Sequence, residues 1–75
     1  MEKITKIEQF QDLKEGQIIY VYSGGKLHKD KITNVNLINE DYIIHTKNLD
    51  NNKWYAYHAS DVLEWSYPNV IYIGE

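Results

Sequence analysis

The sequence predicts a mainly β fold, a small and strongly bent antiparallel barrel of five short strands. Apolar and tyrosine residues alternate from Ile18 to Tyr22, which is the period of a strand. Further runs rich in β-branched and aromatic residues follow at short intervals, separated by clusters of Gly, Asn and Asp. Because 75 residues allow only one domain, we expect a single unit over 1–75, with a helical segment at 1–15 and the barrel at 16–75.

The first expected element is a short helix near the N-terminus. Thr5 and Glu8 have the spacing of a capping box, and Ile7 and Phe10 follow at helical intervals. Gly16 is a typical helix terminator, so the helix should end before it.

Three strands are expected in the first half of the barrel. The period changes to two at Gln17, and the first strand should stop at 23–25, Ser-Gly-Gly. The second and third strands are expected over 31–38 and 42–47, with a turn at 39–41 between them.

The fourth strand is expected over 53–58, after a polar loop. Pairing Lys47 with Lys53 would place His45 opposite Tyr55 in this hairpin.

The C-terminal part predicts a helical turn and a last strand. Residues 60–64 should form a single helical turn, entered from a polar residue. Pro68 then precedes a final strand over 70–73, which completes the five.

The composition limits the classes of function. The chain contains no cysteine, which excludes disulfides and thiolate metal sites. All eight basic residues are lysine, and the net charge is −3, so the bidentate Arg contacts typical of nucleic-acid readers are missing. We find no signal peptide and no membrane-spanning run, and expect a cytoplasmic protein without a membrane partner. Abundant Lys, Ile, Asn and Tyr fit a low-GC bacterium, its phage or a mobile element.

The aromatic content is the strongest functional signal. A chain this short buries only about 60% of its unfolded surface, yet it contains two Trp, seven Tyr and one Phe. Trp and Tyr dominate contact energies at interfaces and stack on bases. We therefore expect an exposed contact patch. The candidate residues are Tyr20, Tyr22, Trp54, Tyr55, Tyr57, Trp65 and Tyr67.

The strand alternation leaves two assignments for these rings. If Ile19 and Val21 face the core, Tyr20 and Tyr22 lie outside, whereas the other register reverses this. The rings could also cover the barrel ends, with only their hydroxyl groups exposed.

Residues 23–31 form the only basic cluster of the sequence. Lys26, Lys29 and Lys31 are candidate phosphate contacts, but the spacing of a P-loop is missing. A solvated hairpin loop is the alternative interpretation.

The three histidines do not indicate a metal centre or an enzyme. His28, His45 and His58 lack the spacing of zinc ligands. The sequence offers no nucleophile or carboxylate pair beside them, so we expect no catalytic residues and no cofactor.

One resemblance adds to this interpretation. The opening at 13–22, Leu-Lys-Glu-Gly-Gln-Ile-Ile-Tyr-Val-Tyr, is followed by a Gly-containing loop, by 31–35 and by a late short helix. This order resembles small phage and prophage proteins with Src-homology-3-like barrels. The resemblance implies the fold and a role in binding host or phage macromolecules, sometimes as inhibitors of restriction or CRISPR systems. It transfers no functional residue.

The sequence therefore predicts a non-enzymatic protein-binding module. We expect a phage or mobile-element protein that inhibits a bacterial host process, for example as an anti-CRISPR protein, by steric occlusion through an aromatic patch with an acidic rim. One alternative is a nucleic-acid or nucleotide binder that uses stacked Tyr and the lysine loop. A homo-oligomeric structural subunit is the other.

Overall fold

Six antiparallel strands form one sheet in the computed structural model, which describes residues 1–64 and 69–74. The strand order is β1-β6-β2-β3-β4-β5. The elements along the chain are β1 (Glu2–Lys3), α1 (Ile7–Gln11), β2 (Ile18–Ser23), β3 (Lys26–Ile38), β4 (Asp41–Asn48), β5 (Trp54–His58), α2 (Ala59–Val62) and β6 (Val70–Ile73). The mainly β prediction is confirmed.

The sheet is open, which corrects the expected five-stranded barrel. Within the described residues β1 pairs only with β6 and β5 pairs only with β4, so these two strands form the edges. The additional strand is β1. It is only two residues long, so no sequence periodicity could predict it. It is a strand because it pairs with the C-terminal strand β6.

The β2–β3 hairpin is tighter than predicted. Gly24 and Gly25 have φ angles of +59° and +79°, and Ser23 pairs directly with Lys26. Two consecutive residues with positive φ are typical of a type I′ turn, which matches the strand twist. Residues 26–30, expected in a loop, therefore belong to β3.

The β4–β5 register differs by one residue from the prediction. Lys47 pairs with Trp54 rather than with Lys53, and His45 does not pair with Tyr55. The turn sets this register, because the last residue of β4 donates a 2.8 Å main-chain hydrogen bond to the carbonyl of Lys53. Since side chains alternate, this register places Trp54 on the same face as Lys47 and Tyr55 on the same face as Thr46.

Helix α1 is capped differently from the prediction. It begins at Ile7, and the Gln9 Oε1 atom accepts hydrogen bonds from the main-chain N–H groups of Thr5 (2.6 Å) and Lys6 (2.9 Å). Gln9 thus has the role expected for Glu8.

The C-terminal elements agree with the sequence. The helical turn expected at 60–64 is α2, which begins one residue earlier and ends two residues earlier, and the strand expected at 70–73 is β6. Pro68 lies outside the described residues. None of the described helices is long and apolar enough to span a membrane.

The core lies between one face of the sheet and the two helices. Ile19 and Val21 are buried there, which settles the strand alternation and turns Tyr20 and Tyr22 to the opposite face. We call that opposite face the outer face. The core residues are Ile4, Phe10, Leu13, Ile19, Val21, Ile32, Ile44, Tyr57, Ala59, Val62 and Ile71.

Candidate functional site

Aromatic, aliphatic and lysine side chains lie on the outer face in three cross-strand rows. The row next to the β2–β3 turn is Val70, Tyr22 and Leu27. The middle row is Lys3, Tyr72, Tyr20 and Lys29. The third row is Ile18, Lys31, Lys47 and Trp54. We call these three rows the lysine–aromatic face.

Several apolar groups of this face are open to solvent. Trp54 is 65% exposed, Tyr22 is 45% exposed and Leu27 is similarly open, whereas Tyr20 and Tyr72 are half-buried. Large apolar side chains that remain exposed together on one surface are typical of interaction sites.

The charge of the lysine–aromatic face is opposite to that of the chain. Its rows contain four lysines, and none of the described residues in them is acidic, although the net charge of the protein is −3. Along β4, the first carboxylate beyond Lys47 on the outer face is Asp41, six residues and about 20 Å away. The acidic rim expected around the aromatic patch is therefore not formed by these rows.

Three of the predicted contact residues lie on this face, namely Tyr20, Tyr22 and Trp54. Tyr55 and Tyr57 lie on the core side, with ring centroids 6.4 Å apart and planes at 27°. Tyr57 is only 7% exposed and packs in the core.

The seven predicted aromatic residues thus do not form one patch. Trp65 and Tyr67 lie outside the described residues, and the other five divide between two faces of the sheet. Trp54 and Tyr55 are neighbours on one strand and so lie on opposite faces, and the β4–β5 register places Trp54 on the face of Tyr20 and Tyr22.

The lysines divide in a similar way. Lys29 and Lys31 lie on the lysine–aromatic face, whereas Lys26 sits beside the β2–β3 turn with the opposite strand parity. Sequence reasoning missed Lys3, Lys47 and Tyr72. The correct hairpin register would have placed Lys47 beside Trp54, but Lys3 and Tyr72 join the face through long-range pairing that the sequence does not signal.

A polar cleft of about 290 Å³ opens on the core side. Its described lining residues are Val21, Ser23, His28, Asp30, Asn48, Tyr55, Ala56, Tyr57 and Asn69. Asp30 is 1% exposed and accepts hydrogen bonds from Thr46 Oγ1 (2.9 Å) and Asn48 Nδ2 (3.0 Å). The Asn48 Oδ1 atom in turn accepts hydrogen bonds from the main-chain N–H groups of residues 50 and 51. This network ties β3 to the β4–β5 turn.

Asp41 holds the start of α2. Its carboxylate accepts the Ser60 main-chain N–H (3.0 Å) and the Ser60 hydroxyl (2.8 Å), and His58 Nδ1 lies 3.6 Å away. Partial desolvation raises the pKa of Asp41, but the hydrogen bonds from Ser60 and the charge of His58 outweigh it, so the pKa is lowered. The group keeps a short helix in place.

No cluster of three or more His, Asp or Glu side chains suited to a metal ion occurs among residues 1–64 and 69–74. The geometry favours the lysine–aromatic face as the candidate site, because exposed rings and lysines lie together on it.

No protein-family model, no curated protein and no solved structure matches this chain.

Proposed function

We propose that this protein is a non-enzymatic interaction module whose contact surface is the lysine–aromatic face. The observation that carries the proposal is the exposure of Trp54 and Tyr22 within rows that contain four lysines and no described carboxylate. The module acts by steric occlusion, because covering a partner's surface requires contact area and no reacting group.

The sheet prepares these rings for binding. Trp and Tyr have few rotatable bonds, so ordering them in a complex costs little side-chain entropy. The strand pairing already fixes their positions, since Tyr20 lies between Lys29 and Tyr72 in one row. A preorganised surface retains more of its contact energy on binding.

The four lysines of the face favour a partner with a negatively charged surface. If the partner is a bacterial host protein, it must present an acidic surface, because like charges across an interface are costly. The same argument disfavours a homodimer through this face, since a second copy would bring its own lysine rows against the first.

We further propose a phage or mobile-element setting, with inhibition of a host process in the bacterial cytoplasm. The support is compositional, since eight lysines and no arginine accompany abundant Asn, Ile and Tyr.

A Src-homology-3-like arrangement of the sheet is part of the same proposal. Apart from β1, five antiparallel strands remain, and a short helix precedes the last of them. This order supports a bent sheet of that type with an added edge strand.

Affinity capture from a low-GC bacterial lysate tests the proposal. The bait proteins are the wild type, Trp54→Ala and Leu37→Ala. Leu37 is the matched control, because it is 59% exposed but lies outside the lysine–aromatic face. We expect Trp54→Ala to weaken retention of a wild-type partner by about 2 kcal/mol or more. Equal retention by all three baits would refute the assigned surface.

A further inference from the structure

We infer that the partner of the lysine–aromatic face is a single-stranded nucleic acid. The inference rests on the proposed function, because it uses the same surface and names the class of molecule that binds there.

The charges flank the rings on both sides. In the middle row Lys3 and Lys29 stand at the two ends, with Tyr72 and Tyr20 between them. Neighbouring strands lie about 4.8 Å apart, so the α-carbons of these two lysines are about 14 Å apart. A single nucleic-acid strand that crosses this row can have its phosphates neutralised by the lysines at both ends while its bases stack on the tyrosine rings.

The third row repeats this combination. Lys31 and Lys47 stand side by side, and the Lys47 ammonium lies 5.3 Å from the centroid of the Trp54 ring. A base that stacks at Trp54 would therefore lie beside a positive charge that can meet its phosphate. Stacking on aromatic side chains combined with a positively charged surface is the general basis of single-strand binding.

An open sheet face suits unpaired bases better than a duplex. Bases splayed from a single strand can stack on rings that stand on a sheet, whereas the bases of a duplex are stacked on each other. Sequence reading in a duplex groove relies heavily on bidentate Arg contacts, and this chain contains no arginine. Base stacking does not require bidentate Arg contacts, because every base has a π-face that an aromatic ring can contact.

An acidic protein surface is the competing partner. A protein and a nucleic acid would contact the Trp54 side chain in different ways. A protein contact requires apolar area, which Leu can supply, whereas base stacking requires an aromatic ring. The substitutions Trp54→Phe and Trp54→Leu therefore separate them.

The experiment measures fluorescence anisotropy of labelled 20-nucleotide oligo-dT and oligo-U, titrated with the full chain at several salt concentrations. We expect binding of at least one oligonucleotide, retention of most affinity by Trp54→Phe and a loss of about tenfold in Trp54→Leu. The two oligonucleotides distinguish DNA from RNA.

A pair of charge-matched variants tests the location. Lys29→Gln with Lys31→Gln removes two lysines of the face, and Lys6→Gln with Lys14→Gln removes two exposed lysines from the N-terminal segment. Because each neutralised phosphate contributes about 0.7 to the salt slope of single-strand binding, the first pair should lower the slope by about 1.4. The second pair should leave it nearly unchanged.

The outcomes separate this inference from the function on which it rests. Equal effects of the two lysine pairs would overturn it, since they would indicate diffuse attraction. Absence of oligonucleotide binding together with Trp54-dependent capture of a protein would overturn the nucleic-acid assignment and keep the interaction module. Absence of both would overturn both proposals.

Discussion

The Lys47 ammonium lies 5.3 Å from the centroid of the Trp54 ring, and the two residues face each other directly across the β4–β5 ladder. The pair combines the most exposed aromatic ring among the described residues with a cation. A cation over an indole ring is attracted by the ring quadrupole. The contact therefore orients Trp54 on the surface without burying it.

The first prediction concerns the energy of this pair. A double-mutant cycle with Lys47→Ala and Trp54→Ala should give a coupling free energy of about 0.5 to 1 kcal/mol, the range for exposed cation–π contacts. The free energies come from urea unfolding followed by circular dichroism. Additive effects of the two substitutions would show that the ring is not held by the lysine.

The second prediction compares the two faces of β4. Ile44 is fully buried, whereas its neighbour Ile43 points to the outer face and is partly exposed. Ile44→Val should lower the unfolding free energy by about 0.5 to 1.5 kcal/mol, because it leaves a cavity in the core. Ile43→Val removes the same methylene group at a site that solvent fills, so its effect should be smaller. Equal losses in thermal or urea unfolding would contradict the assignment of faces.

The alternation of side chains within a single strand could be predicted from the sequence. The period of two over 18–22 predicted the strand but left open which set of side chains faces the core, and only the burial of Ile19 and Val21 shows that Tyr20 and Tyr22 lie outside. Pairing between strands was harder. The turn after Asn48 pairs Lys47 with Trp54 instead of with Lys53. This shift of one residue determines the faces on which Trp54 and Tyr55 lie.

Long-range pairing explains the rest of what sequence reasoning missed. Lys3 joins the lysine–aromatic face because β1 pairs with the C-terminal strand, almost the full chain length away. A two-residue strand has no periodicity of its own. The lysine-rich character of the face therefore emerges only when the sheet brings together lysines from three different strands, β1, β3 and β4.

The third prediction concerns the buried carboxylate of Asp30. Asp30→Ala leaves the Thr46 hydroxyl and the Asn48 amide without their acceptor, so we expect a loss of about 1 to 3 kcal/mol in unfolding free energy. Asp50→Ala is the control, because it removes an exposed carboxylate from the adjoining turn. A loss no larger than that of the control in urea unfolding would show that the network contributes little.

The fourth prediction uses the β3–β4 turn. Asn39 and Glu40 both have positive φ angles, +51° and +64°. Glu pays a steric cost in this conformation that Gly does not, so Glu40→Gly should raise the unfolding free energy by about 0.5 to 1 kcal/mol. Glu15→Gly, at a position without positive φ, should instead lower it, because Gly adds entropy to the unfolded chain. A lower melting temperature for Glu40→Gly would contradict this account of the turn.

The fifth prediction is a pH dependence at Asp41. Its pKa is lowered in the folded protein by the Ser60 hydrogen bonds and the His58 charge, which outweigh partial desolvation. A lowered pKa means that the carboxylate stabilises the fold fully above its unfolded value, about 3.9, and that this contribution is lost as the pH falls below it. The difference in unfolding free energy between the wild type and Asp41→Asn should thus shrink as the pH falls from about 5 toward 2. Glu8→Gln, which changes an exposed carboxylate on α1, is the comparison variant. A difference for Asp41→Asn that does not vary with pH would show that the charge of Asp41 does not hold α2.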